Sequence, residues 1–162
     1  MVEVSVALSV RDLVAADLGA CGWAGSPLHL DSVAKQLGRA ELDEVDYLAV
    51  CPPSGLPVAI GGVDYRVREN AGMLWQLVVH PALRSCGVGT FLVRSAERRI
   101  TARGLRLAEL DVEEVNPRAR TLYERLGYVA YGSEPAAWDE LGPDGSVRRY
   151  ETVCTMMRKR LV

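Results

Sequence analysis

Met73-Leu74-Trp75-Gln76-Leu77-Val78-Val79-His80-Pro81-Ala82-Leu83-Arg84-Ser85-Cys86-Gly87-Val88-Gly89-Thr90 is the stretch on which the reading of this chain turns. Its opening run, Met73 to Val79, is nearly all apolar, the pattern of a strand covered on both faces and lying centrally in a sheet. After the loop, Val88, Phe91, Leu92, Ala96 and Ile100 form one helical stripe, while Arg94, Arg98, Arg99 and Arg103 point elsewhere; Gly104 ends the helix. Leu105 to Val112 reads as the next strand, so strand, helix and strand imply a right-handed parallel crossover. At the strand-to-helix junction, unpaired amide N–H groups and partial positive charge favour a phosphate, and Gly87 and Gly89 let the backbone approach it closely. Arg84 and the Thr90 hydroxyl can reach the same oxygens. Taken alone, the two glycines are equally well explained as a tight turn. No third glycine follows at dinucleotide-binding spacing, and no Gly-Lys-Ser/Thr is present, so neither a Rossmann nor a Walker loop is indicated.

Upstream, Val2 to Val10 alternates as a strand, Arg11-Asp12 opens a helical stretch to Gly19, and a small-residue loop runs from Cys21 to Leu28. Leu30, Val33, Ala34 and Leu37 mark a second helix with Asp31 or Ser32 as its cap. Tyr47 to Cys51 and Pro57 to Val67 form a hairpin around Pro52-Pro53-Ser54-Gly55. Downstream, Asn116-Pro117 starts a helix that Gly127 ends. A strand begins at Tyr128 to Tyr131, a polar connection spans Gly132 to Val147 with an Asp144-Gly145 turn, and Tyr150 to Met157 closes the chain. The order is β-α-α-β-β-β-α-β-α-β-β, of class α/β (α+β).

With 162 residues, 49% apolar and 25% charged, the chain is expected to be one domain, residues 1–162, with an ordinary globular core. No apolar run approaches the roughly 18 residues of a membrane span, and the amino terminus lacks a signal-peptide pattern, so a cytoplasmic protein is expected. A net charge of -2 argues against nucleic acid as the main partner. Cys21, Cys51, Cys86 and Cys154 are widely spaced, so free thiols are expected, with no metal site and no disulfide framework.

The hydrophobic strand ending in Val-Val-x-Pro, followed by Arg-x-x-Gly-x-Gly, resembles motif A of the Gcn5-related N-acetyltransferases (GNAT). Asn116-Pro117-Arg118-Ala119-Arg120-Thr121-Leu122-Tyr123-Glu124-Arg125-Leu126-Gly127-Tyr128 resembles that family's Asn-x-x-Ala-x-x-Leu-Tyr-x-x-x-Gly-Phe/Tyr segment, in the same order and at the family distance. The likeness is close from Met73 to Tyr131. It implies the GNAT fold, with a mixed sheet of about seven strands, and acetyl-coenzyme A as cosubstrate. By motif position it assigns backbone contacts with the pantetheine arm and acetyl carbonyl to Leu77, Val78 and Val79. The pyrophosphate falls to Arg84 and to the amides of Ser85, Cys86, Gly87, Val88, Gly89 and Thr90. Many relatives carry basic side chains where Ser85 and Cys86 stand, so the grip is expected to rest on Arg84 and the backbone; Cys86 is read as a small filler.

Asn116 matches a position contacting the cofactor arm, and a helix cap explains it equally well. Tyr123 matches the tyrosine that protonates the departing thiolate, although the stripe Ala119, Leu122, Tyr123, Leu126 would also suit a packed ring. The implied reaction is direct acyl transfer to an uncharged amine. The glutamate base of histone-modifying relatives falls on Met73. That of ribosomal-protein N-terminal acetyltransferases, five residues before the motif asparagine, falls on Asp111. Glu109, Asp111 and Glu113 share a strand face, and each is a candidate. The acceptor site would lie between Cys21–Leu28 and Gly132–Val147, where Glu134, Trp138, Asp139 and Glu140 could attract a cationic amine. The resemblance leaves open a small-molecule amine or a protein N-terminus or lysine as acceptor, and a homodimer. A non-catalytic acyl-coenzyme A-binding module is the alternative.

Overall fold

The computed structural model describes residues 1–162. Strand β1 (Ser9–Asp12) leads through short 3-10 turns at Ala15–Ala20 and Gly22–Ala24 into helix α1 (Pro27–Glu41). Strands β2 (Val45–Cys51), β3 (Ala59–Asp64) and β4 (Gly72–Val79) follow, then helix α2 (Val88–Ala102). Strand β5 (Leu107–Glu113), helix α3 (Pro117–Arg125) and strands β6 (Val129–Leu141) and β7 (Val147–Arg160) complete the chain. The seven strands form one sheet in the order β1-β2-β3-β4-β5-β7-β6, in which β4 is central as expected. Only β4 and β5 run parallel, joined by the α2 crossover.

The helices divide the core in two. On one face, Val88, Leu92, Val93, Ala96 and Ile100 of α2 pack on Leu48, Leu74, Ala108, Leu110 and Val112, with Ala119, Leu122 and Tyr123 of α3 against the same cluster. On the other face, Val33 and Leu37 of α1 cover Tyr47, Ala49, Cys51 and Ile60. Burying each large aliphatic side chain contributes roughly 1.5–3 kcal/mol. Ion pairs secure the bottom of α1, where Arg39 bonds Asp64 at 2.7 Å and Glu44 at 3.0 Å.

Several expectations need correction. Residues 1–8 form no strand; β1 is Ser9–Asp12, because Arg11 and Asp12 pair with Ala49 and Leu48 rather than opening a helix. The first expected α-helix is therefore a pair of 3-10 turns, pinned where Asp17 accepts both Arg11 guanidinium nitrogens and the Val14 N–H. Helix α1 is capped by Ser26, whose Oγ accepts from His29 N, with Pro27 at the first helical position, and not by Asp31 or Ser32. Most of the expected connection from Gly132 to Val147 is strand: β6 extends to Leu141 and pairs with β7, and only the Asp144-Gly145 turn separates them. Polar residues alternate there because this hairpin is mostly exposed.

Two bulges position the site. In β4, Gln76 and Leu77 together oppose the single residue Gly61, between the pairs Ile60↔Val78 and Gly62↔Trp75. The left-handed φ of Gln76, 54°, marks the extra residue. Its side chain anchors it: Gln76 Oε1 accepts the Tyr47 hydroxyl at 2.9 Å and Nε2 donates to Ser32 Oγ at 3.1 Å. Because a one-residue insertion reverses strand alternation, Leu77 and Val79 turn to the α2 face while Trp75 and Val78 remain on the α1 face. In β6 the extra residue is Tyr131, between the pairs Ala130↔Met157 and Gly132↔Met156.

Candidate active site

Strands β4 and β5 pair only from Gly72↔Ala108 to Leu74↔Leu110 and diverge beyond. His80 N bonds Val58 O of the neighbouring chain segment at 2.8 Å, so alternation turns the main-chain groups of Val79 and Leu77 towards the gap on the β5 side. The sheet is thus split between its two parallel strands, with an unpaired edge on β4.

At the mouth of the split lies the loop into α2. Ser85 and Gly87 adopt left-handed φ values of 61° and 85°, and Gly87 is the helix N-cap. No N–H from Arg84 through Thr90 donates to a protein acceptor; the first α2 bond is Phe91 N to Gly87 O at 3.1 Å. These unpaired donors at a helix N-terminus suit an anion. A Cβ on Gly89 would stand 3.6 Å from Val79 Cγ2 and 3.7 Å from Leu122 Cδ2, in the space between β4 and α3. A longer side chain there would project into the region the split leaves for a ligand. The residues present therefore fit a phosphate-bearing, arm-like ligand such as acetyl-coenzyme A.

Among the residues singled out by sequence, Arg84, Ser85, Cys86 and Gly87 are exposed on the loop, and Val88 is buried beneath it. Cys86 fills no interior space: its thiol turns outward and donates to Arg84 O at 3.5 Å. Leu77, Val78 and Val79 are half-buried, so core packing of their side chains and an open main-chain edge coexist. Asn116 Oδ1 caps α3 by accepting Ala119 N at 3.2 Å, leaving its amide NH2 free of that bond. Arg118, which the sequence reading passed over, reaches back from α3 and donates to Ser85 Oγ.

Tyr123 lies on the α2 face, edge-on to Tyr128 with ring centroids 6.1 Å apart. Burial pushes its phenol above the ordinary value, so it carries its proton at neutral pH. Asp111 occupies the opposite face, one residue past the last β4–β5 pair, with its neighbours Leu110 and Val112 in the α2-side core. Its carboxyl is pushed up to about 7, first by burial, then by a hydrogen bond and like charge from Glu134 on β6, against the lowering effect of Arg68. Glu134 is held below its usual value chiefly by the same hydrogen bond. Arg68, from the β3–β4 loop, ties the group together, with Nε 3.2 Å from Glu109 Oε2 and Nη2 3.1 Å from Glu134 Oε1 and 3.9 Å from Asp111 Oδ2. No sequence motif announced Arg68 or the Asp111–Glu134 pairing, because Arg68, the β5 carboxyls and Glu134 come from three distant segments.

The acidic set expected near the acceptor is only partly assembled. Asp139 is bonded by Arg149 at 3.3 Å and Glu140 by Arg148 at 2.7 Å, each across the β6–β7 ladder, which neutralises both. Glu134 instead joins Asp111, Glu109 and Glu113 on one face. Tyr150 donates to Glu113 at 2.7 Å, and the Trp138 ring lies beside it with centroids 5.0 Å apart. Trp23 covers the end of β4, 5.4 Å from the His80 ring.

The site thus combines a sheet split between its central parallel strands, a glycine-turned helix start at the mouth of the split, and a phenol and a carboxyl on opposite faces. The Acetyltransferase (GNAT) family profile matches residues 30–128, and the chain belongs to that family. The general reaction of that family is acetyl-coenzyme A-dependent N-acetylation. Mycothiol acetyltransferase of Streptomyces scabiei (strain 87.22) is 36% identical over 66 residues, 41% of this chain and 21% of that protein, so the similarity spans about a fifth of the relative's length. The fold resembles that of ribosomal-protein-S18-alanine N-acetyltransferase from Escherichia coli, with TM-score 0.73, 18% identity and coverage of 96% and 94% of the two chains. It also resembles phosphinothricin acetyltransferase from Sinorhizobium meliloti, solved with acetyl-coenzyme A, with TM-score 0.73, 20% identity and coverage of 95% and 88%. No helix is long and apolar enough to cross a membrane.

Proposed function

We propose that this chain transfers an acetyl group directly to an uncharged amine nitrogen of a small-molecule or peptide acceptor that carries positive charge elsewhere and binds on the α1 face of the sheet beside Asp111. The observation that carries this reading is the split itself: β4 leaves β5 after Leu74, so an open main-chain edge and the unpaired amides of the α2 loop serve one donor. When bound, acetyl-coenzyme A supplies a thioester carbonyl and a thiol leaving group. The main chain of Leu77 and Val79 orients the arm, that of Val78 being turned to β3, and the amides from Ser85 to Thr90 with Arg84 hold the phosphates. Asn116 adds its free amide NH2 to the arm.

Asp111, ionised above about 7, takes the proton from the amine nitrogen as the N–C bond forms. Tyr123 gives its proton to sulfur as the C–S bond breaks, and both groups return to their starting states by exchange with water. Burial, then Glu134, raise the carboxyl of Asp111, and Arg68 opposes them. Three carboxyls, Glu109, Asp111 and Glu134, share the single cation Arg68, and the net negative charge left there, with the Trp138–Tyr150 pair, favours an acceptor with positive charge.

The test is thiol release from acetyl-coenzyme A across polyamines, aminoglycosides, amino acids and short peptides. Release is expected with cationic amines and not with neutral or acidic ones. Tight coenzyme A binding with no release on any class would show a binding module instead.

A further inference from the structure

Sequence alone left the pyrophosphate grip to one arginine and the backbone. The fold brings a second cation to the same place. Arg118 is the second residue of α3, exposed, far from the loop in sequence, and its Nη2 donates to Ser85 Oγ. The geometry that permits this is unusual: Ser85 is a non-glycine residue at φ 61°, a conformation that costs energy and is kept where the surroundings demand it. Like Arg84, Arg118 forms no ion pair with a carboxylate, so its charge is not already met within the protein; Arg120 on the same helix is paired with Glu124. It stands beside amide donors, from Arg84 to Thr90, that have no acceptor in the protein. An arginine held by one nitrogen keeps its other donors for a bidentate anion such as a phosphate.

We propose that Arg118 is a second cation on the cofactor's pyrophosphate, clamping it from the α3 side while Arg84 and the amides hold it from the α2 side. Ser85 acts as a positioning residue that aims the guanidinium. The proposal rests on the reading of this loop as the phosphate cradle. It assigns to α3 the charge that many relatives place in the loop at the positions of Ser85 and Cys86.

Calorimetric titration with coenzyme A and with dephospho-coenzyme A tests it. Arg118→Ala should weaken both ligands about tenfold, the size expected for one charge-assisted contact, with Tm unchanged. Arg118→Lys should recover part of the loss, because charge returns without the planar fork. Ser85→Ala should cost less than Arg118→Ala, since the charge remains. An unchanged dissociation constant for Arg118→Ala overturns the proposal, as does a loss confined to coenzyme A, which would put Arg118 on the 3′-phosphate. A failure of the cradle reading is separate: Arg84→Ala combined with Gly89→Asp would then bind coenzyme A at full affinity.

Discussion

The two sides of the split are built from different materials. On the side proposed for the cofactor, the groups are main-chain amides and two glycines of one loop, joined by Asn116 and Arg118 at the start of α3. On the acceptor side, they are side chains from the β3–β4 loop, β5, β6 and β7, which meet only because strands pair. A backbone site tolerates many side chains and needs a particular local conformation. A side-chain site needs particular residues and a tertiary arrangement that brings them within a few ångströms.

Removing the backbone cradle should have the largest effect. Arg84→Ala with Gly89→Asp takes away a charged contact and puts a carboxylate into the space between Val79 and Leu122. Coenzyme A affinity should fall about a hundredfold or more, as expected for losing a charge-assisted contact and adding a like charge, read by calorimetry. Full retention would erase the contrast between the two sides.

Tyr123→Phe should come next, with kcat down by about a hundredfold, the lower end for a lost general acid, and coenzyme A binding intact. Its ring can still pack edge-on to Tyr128, so stability should hold. Unchanged turnover would leave Tyr123 a packing residue and move the whole of catalysis to the acceptor side.

The smallest effect is a shift in pH profile. With Asp111 pushed up to about 7, the base is protonated below that pH, so kcat/KM should climb as pH rises through about 7 and level off above it. Arg68 lowers this value by its positive charge, so Arg68→Ala should move the limb to higher pH by a fraction of a unit. Asp111→Asn should abolish the limb, and a limb that survives would assign the proton to another group.

Helix α2 with its loop, the Asn116 cap and the central place of β4 were legible because each depends on a short window: a helical stripe, a capping residue before proline, an apolar run. The second cation of the cradle was not, since Arg118 reads as an ordinary helical residue until α3 is folded against the loop. Nor was the extent of β6, because an exposed hairpin carries the same polar composition as a loop.

By itself the sequence determined the donor: a strand, a glycine turn and a helix start are local, and local order is enough to converge amides on a phosphate. Only the tertiary structure decided the acceptor side. There the Gln76 bulge reverses the facing of β4, cross-strand arginines silence Asp139 and Glu140, and Glu134 comes to lie against Asp111. Charges interact through space rather than along the chain, so which carboxyl is neutralised and which is left to meet an amine depends on strand register, which short-range patterning does not encode.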